Sequence, residues 1–284
     1  MIGIWGIVNV TPDSFSDGGA HFGHAEAIAH GRRLRADGAT VLDVGGESTR
    51  PGSQPVGAEE ELRRVLPVVE ALAADGAVVS VDTYRAETAA AVVAAGARIV
   101  NDVAGGLADP EILRVVAESD ADYAIGHWRG PSADMYAKAQ YAHVGREVAA
   151  ELAERAAAAE AAGIPHERII LDPGVGFAKT AAQNWALLRE LDAVTALGYR
   201  VLVGTSRKRF LETALGEGPS LERRDLATAV TSVLAARAGA DAVRVHNVAA
   251  TRDALAVAAA WDGPAGSDAP SESASGAPGE RSAS

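Results

Sequence analysis

Residues 169–179 read Ile169-Ile170-Leu171-Asp172-Pro173-Gly174-Val175-Gly176-Phe177-Ala178-Lys179. Three apolar β-formers run directly into an acid, and the glycines beyond it let backbone close on a ligand without Cβ interference. The stretch reads as a buried strand ending in a carboxylate at the rim of a sheet. Desolvating that carboxylate is costly unless donors meet it. Asp172 therefore either caps its own turn or waits for a ligand that presents N–H groups.

The same pattern recurs along the chain. Short apolar runs at 2–10, 40–44, 78–81, 98–101, 123–127, 168–171, 200–204 and 242–245 alternate with mostly alanine-rich segments of helical period at 25–37, 58–74, 86–95, 110–118, 144–162, 182–197, 209–215 and 225–238. Repeated βα units wrap a parallel sheet, and eight of them close a single (β/α)8 TIM barrel. Several helical segments stop at glycine, among them Gly38, Gly76, Gly96, Gly163, Gly198 and Gly239, as helix C-caps often do. The strand ends carry Asn9, Asp43, Asp82, Asn101 with Asp102, His127, Asp172, Ser206 to Lys208, and Arg244 with His246. In a barrel those ends share one face, where the active site lies. A cap, a turn or a buried hydrogen bond explains any one of them; the full set on one rim asks for a ligand.

With 284 residues, 48% of them hydrophobic, the chain is long enough for one large core. The barrel is expected over 1–262. Residues 263–284 turn to Gly, Pro, Ala, Ser and charges with no bulky apolar side chain, and are expected to form a disordered tail. The formal charge of −12 argues against nucleic acid or an anionic membrane as partner, so any phosphate site is local. No cysteine is present, which suits a reducing cytoplasm and removes thiolate metal sites. Neither a leader nor an apolar run of spanning length is recognisable. The expectation is a soluble, cytoplasmic protein.

The loops after the strands carry the chemistry. The first, Asn9 to Gly19, is too long and too rich in oxygen ligands for a tight turn and reads as a functional lid. Asn9 at its start either offers a neutral oxygen to Mg²⁺ beside a pyrophosphate or bridges loop backbone. The second, Gly45 to Gly52, holds Arg50 between Thr49 and Pro51, as an anion clamp or a solvated arginine. Asp82 and Asn101 end adjacent strands and can read one edge of a planar heterocycle, the acid accepting and the amide both donating and accepting; Asp102 ranks below them as an orienting group. Gly204 to Lys208 opens a helix after the seventh run, where backbone N–H groups favour an anion or an electron-rich ring atom. The chain has three lysines, Lys138, Lys179 and Lys208, against 23 arginines, and two of the three sit in post-strand loops with glycine, which favours a role in function. Arg244 and His246 have the spacing that shares one face of a strand, as a pyrophosphate-binding pair or a structural one. His127 reads as a hydrogen-bonded core histidine, and His21, His24 and His30 fit no common metal spacing.

On these residues the chain resembles the dihydropteroate synthase family of folate biosynthesis. The motifs at 9–19, 45–52, 80–83, 101–103, 172–177, 206–208 and 244–246 stand in the family's order. The resemblance implies a transferase, typically a homodimer, that joins 6-hydroxymethyl-7,8-dihydropterin pyrophosphate to 4-aminobenzoate and releases pyrophosphate. It assigns Asp82, Asn101, Asp172 and Lys208 to the pterin, with Asp82, Lys208 and Asp172 catalytic. Asn9, Arg244 and His246 would bind pyrophosphate with Mg²⁺, Asn9 as metal ligand. Phe15, Thr49, Arg50, Pro51 and Phe177 would shape the pocket for aminobenzoate, the substrate that sulfonamides mimic. Three positions depart from the family. Gly126 stands where a methionine is usual, removing an expected apolar wall, Asn247 where an aspartate is usual, and Arg209 where many members carry a small hydroxyl residue. Two rivals remain: a methyltransferase barrel that binds a pterin but needs no pyrophosphate site, and a non-catalytic pterin-binding paralogue.

Overall fold

The computed structural model describes residues 2–10, 20–47, 56–130 and 139–263. Eight strands follow one another around a closed parallel barrel: β1 (Gly3–Asn9), β2 (Val41–Gly45), β3 (Val79–Asp82), β4 (Ile99–Asp102), β5 (Asp122–Gly126), β6 (Ile169–Asp172), β7 (Arg200–Val203) and β8 (Ala242–Val245). Closure comes from β1 pairing β8, Gly3 opposite Ala242 through Gly6 opposite Val245. Among the described residues no sheet edge is left to pair with another chain.

Side chains alternate across the barrel wall. Trp5, Val41, Ile99, Ala124, Ile170, Leu202 and Ala242 form one buried cluster inside it. The indole of Trp5 shares that layer with the small Ala124 and Ala242, the balance of large and small that fills a closed interior. Val79, Val81, Val100, Ile125, Leu171, Val201 and Val243 belong instead to the larger cluster, between barrel and helices. A strand covered on both sides has to read as a nearly continuous apolar run, and these do.

The helices are α1 (Ala20–Ala36), α2 (Ala58–Ala74), α3 (Ala86–Ala94), α4 (Glu111–Ala117), α5 (Val144–Ala161), α6 (Ala181–Arg189), α7 (Asp192–Thr195), α8 (Glu212–Leu215), α9 (Leu221–Arg237) and α10 (Val248–Asp262). In α2 the buried Val65, Val68, Val69 and Leu72 recur at helical spacing, and each contributes roughly 1.5–3 kcal/mol by leaving water. Gly31 of α1 lets that face approach, since a Cβ there would lie 2.9 Å from Leu72 Cδ1. Glycines expected to end helices are left-handed, for example Gly38 (φ +110°) and Gly163 (φ +102°). Among the described residues no helix is long and apolar enough to cross a membrane.

Three elements differ from expectation. Residues 182–197, read as one helix, divide into α6 and α7 at Glu190, whose side chain accepts the Gly145 N–H at the start of α5. Residues 209–215 form a 3-10 turn (Arg209–Leu211) running into the short α8. The long α10 after β8 was not anticipated, although Asn247 marks its start by accepting the Ala250 N–H at 3.1 Å. The supposed tail from 264 onward lies outside the described residues.

Candidate active site

The C-terminal rim of the barrel gathers charge from strands far apart in sequence. Arg244, on β8, donates through Nε to Asp43 Oδ2 on β2 (2.5 Å) and through Nη2 to Asp82 Oδ2 on β3 (2.9 Å). Asn101 on β4 adds a donor to Asp43 Oδ2 at 3.2 Å. Asp43 has no exposed side-chain surface while Asp82 keeps 14%, so Asp43 forms the floor and Asp82 faces the opening. Two carboxylates share one guanidinium, which leaves a net negative floor able to accept N–H groups.

The opposite side of the rim comes from β6 and β7. Asp172 accepts the Gly174 N–H at 2.8 Å through Oδ1. Lys208 Nζ donates to the Val175 carbonyl and lies 4.8 Å from the centre of the Phe177 ring. A Cβ at Gly204 would lie 3.8 Å from both Arg244 Cβ and Lys208 Nζ, which places both side chains beside that glycine. His246 is joined to the same loop, its Nδ1 2.9 Å from Ser206 Oγ. Asn9 ends β1 opposite Gly45.

Burial sets the protonation of this rim. It pushes the Asp82 carboxyl up to about 7, with Arg244 opposing and Asp43 adding to the rise. Burial likewise raises Asp172, opposed by Lys208 and the Gly174 N–H. Lys208 is drawn down to about 8 by burial, with Asp172 pulling the other way. For Arg244, burial would lower the pKa, yet Asp43 and Asp82 hold it above its ordinary value.

Asp82, Asn101, Asp172, Lys208, Arg244, Phe177, Asn9 and His246 therefore all stand on or beside one rim. Phe15, Thr49, Arg50 and Pro51 lie outside the described residues. Asp102 turns away from the opening and serves its own turn, accepting Ala104 N–H, Gly106 N–H and Tyr123 hydroxyl at 2.8, 2.7 and 2.7 Å. His127 is a buried, hydrogen-bonded core histidine, as expected, its Nε2 3.0 Å from Glu151. Lys179, the other post-strand lysine, points inward beneath its loop, with 1% of its surface exposed. Sequence reasoning left Asp43 without a role, although an acid two positions from Val41 in an apolar strand shares that residue's inward face and must be paired there.

The departures acquire local explanations. A Cβ at Gly126 would lie 2.6 Å from the Val103 carbonyl oxygen and 2.7 Å from its Cα. The space that a methionine stem would need is thus filled by Val103 backbone rather than left as a gap. Asn247 caps α10 and donates to Asp225 at 3.0 Å, and Asp225 also holds Arg207 beside Lys208. Arg209 opens the 3-10 turn after Lys208.

No group of three or more His, Asp or Glu among the described residues could hold a metal ion. A cation at this rim would take most of its ligands from substrate phosphate and water, the habit of Mg²⁺, with a neutral oxygen such as that of Asn9 as protein ligand. Among the described residues nothing offers the three or four nitrogen or sulfur ligands of a zinc site.

Residues 5–246 match the family model described as pterin binding enzyme. The dihydropteroate synthase of Mycobacterium leprae is 48% identical over 261 residues, covering 90% of this chain and 92% of that protein. Among solved structures, the Xanthomonas albilineans dihydropteroate synthase with 4-aminobenzoic acid superposes with a TM-score of 0.86 at 46% identity, covering 93% of this chain and 94% of that one. The same enzyme in complex with 7,8-dihydropteroate gives a TM-score of 0.83 at 44% identity over the same shares.

Proposed function

Since the chain belongs to the pterin-binding enzymes, we infer that it is a dihydropteroate synthase, joining 6-hydroxymethyl-7,8-dihydropterin pyrophosphate to 4-aminobenzoate. The carbon–oxygen bond to pyrophosphate breaks with its electron pair leaving on oxygen. A carbon–nitrogen bond to the arylamine forms, and the new ammonium gives up one proton. The observation that carries this reading is the single rim on which Asp82, Arg244 and Asp43 meet Asp172 and Lys208.

Asp82, Asn101, Asp172 and Lys208 hold the pterin: carboxylates accept its paired N–H groups, and Lys208 donates to a ring acceptor. As pyrophosphate departs the pterin takes up positive charge, and an ionised Asp82 beside it lowers that barrier electrostatically. Arg244 and His246 meet the leaving group; Asn9 would be the protein ligand of Mg²⁺, which when bound would supply positive charge to the departing pyrophosphate. Phe177 and the two loops carrying Phe15 and Thr49, Arg50 and Pro51 receive the aminobenzoate, in the pocket sulfonamides would occupy.

The chain acts as a homodimer in this reading. On α9, Leu226, Val230 and Leu234 are 65, 50 and 55% exposed at four-residue spacing, and on the adjoining α10 Val257 and Trp261 are 69 and 84% exposed. A contiguous apolar face of that kind is covered most simply by its own copy about a two-fold axis.

Purified protein with Mg²⁺ is expected to release pyrophosphate and form dihydropteroate only when both substrates are present. Protein that binds the pterin pyrophosphate by calorimetry yet forms no product would establish the non-catalytic rival instead.

A further inference from the structure

The functional reading leaves one buried ammonium without a task. Lys179 Nζ lies 3.0 Å from His127 Nδ1, 3.0 Å from the Gly174 carbonyl and 3.1 Å from the Phe177 carbonyl. An ammonium has three donors, so this group is fully used. Its two carbonyl partners belong to the turn after β6, which is left-handed at Gly174 (φ +64°), Gly176 (φ +86°) and also at Ala178 (φ +48°). A side-chain-bearing residue in that conformation persists only when its surroundings hold it there.

That turn is also what delivers the pterin groups. Gly174 N–H donates to Asp172, the Val175 carbonyl receives Lys208, and Gly176 admits the Lys208 stem, since a Cβ there would lie 2.8 Å from Lys208 Cδ. Behind Lys179, His127 accepts at Nδ1 and so carries its proton on Nε2, directed at Glu151, which Arg129 holds in turn. A chain of contacts thus runs from α5 through His127 to the concave side of the turn.

We propose that Lys179 is a positioning residue of the transfer: its ammonium, by binding Gly174, Phe177 and His127 together, holds the turn that presents Asp172 and Lys208 to the pterin. The proposal rests on the dihydropteroate synthase reading of the site. It requires the protonated amine. Burial brings Lys179 down to about 7, against Asp172 and Glu151, which raise it, and with Lys208 and Arg129, which lower it. A neutral amine has two N–H groups for three acceptors, so one contact is lost as the proton leaves.

The test uses the intact protein with ¹³C-labelled lysine. Three lysines give three Cε resonances, assigned with Lys138→Arg and Lys208→Ala. Affinity for 6-hydroxymethyl-7,8-dihydropterin, which has no phosphate to titrate, is measured by calorimetry across the same pH range. Asp82 and Lys208 titrate in the same range in both proteins, so the readout is the ratio of affinities. Wild type should bind at least about fivefold more tightly than Lys179→Met at pH ~6, and that advantage should vanish through the Lys179 midpoint. A ratio that stays constant through the midpoint overturns the proposal, as does a folded Lys179→Met that binds like wild type at pH ~6. If Lys179→Met does not fold, Lys179→Gln takes its place in the same comparison. Wild-type protein that binds the pterin and forms no dihydropteroate counts against the functional reading, and leaves the binding result to judge Lys179.

Discussion

At the scale of single residues, the rim is governed by pairs whose members hold each other's protonation state. In the proposed reaction Asp82 has to be ionised to steady a cationic pterin, and burial places its change near 7; Lys208 has to be protonated to donate, and burial brings it down to about 8. The value of kcat/KM for the pterin pyrophosphate should therefore rise through about pH 7 as Asp82 ionises and fall through about pH 8 as Lys208 is neutralised, a narrow bell in a pH–rate profile. Arg244 is the charge that restrains the Asp82 shift. Arg244→Gln should then move the acid limb to higher pH as well as lowering the rate, and an unmoved acid limb would show that Asp82 is not the group titrating. Lys208→Ala and Asp172→Asn should each lower kcat/KM on the order of 10²-fold, the usual loss when one preorganised polar group is removed.

Elements carry these residues, and their stability rests on polar groups as well as apolar faces. Glu61 of α2 is buried to 1% exposure and accepts from Thr83 Oγ1, Thr88 Oγ1 and Arg85 Nη1 at 3.2, 2.7 and 3.0 Å. Arg85 reaches on to Glu47 and to the Val56 carbonyl, tying β2 and α2 to the start of α3. Arg85→Ala leaves Glu61 as a buried carboxylate with only hydroxyl donors, and denaturant unfolding should register a loss of roughly 3–5 kcal/mol. Beside Lys179, Thr180 and Gln183 form a reciprocal cap at the start of α6, and Thr180→Ala should cost about 1 kcal/mol in the same measurement. A fall as large as that of Arg85→Ala would mean that the cap also supports the turn before it.

At the scale of the whole molecule, the closed barrel consumes every strand edge among the described residues, so the proposed association would fall to helix faces. The apolar stripe of α9 beside α10 is the surface on which the proposed dimer would depend. Leu234→Asp combined with Val230→Asp should convert sedimentation from twice the chain mass of 29.0 kDa to a single copy. A wild-type protein that sediments as one chain would remove the dimer from the proposal and leave the stripe unexplained. The barrel itself should survive both substitutions, since Val230 and Leu234 are half exposed and lie outside the interior layer of Trp5, Ile99 and Ile170.

Much of this was legible in the chain. The run from Ile169 into Asp172 and its seven counterparts announced parallel strands covered on both sides, because apolar length and terminal polarity are local properties of each segment. The rim residues could be named for the same reason: a barrel puts all its strand ends on one face. Where a side chain turns, and whom it meets, is not local. Asp43 and Arg244 lie 201 positions apart and become partners only because the first strands and the last close the same ring. Lys179 and Lys208 both follow strands in loops with glycine, yet one points inward beneath the turn and the other reaches the Val175 carbonyl. That choice was made by the left-handed path of the turn after β6 and by the acceptors His127 and Val175 that packing supplied. Gly126, which as a sequence suggested a missing wall, became a close backbone contact once Val103 was in place. Periodicity decides the architecture from within each segment, whereas burial and pairing are decided by neighbours that only the closed barrel brings together.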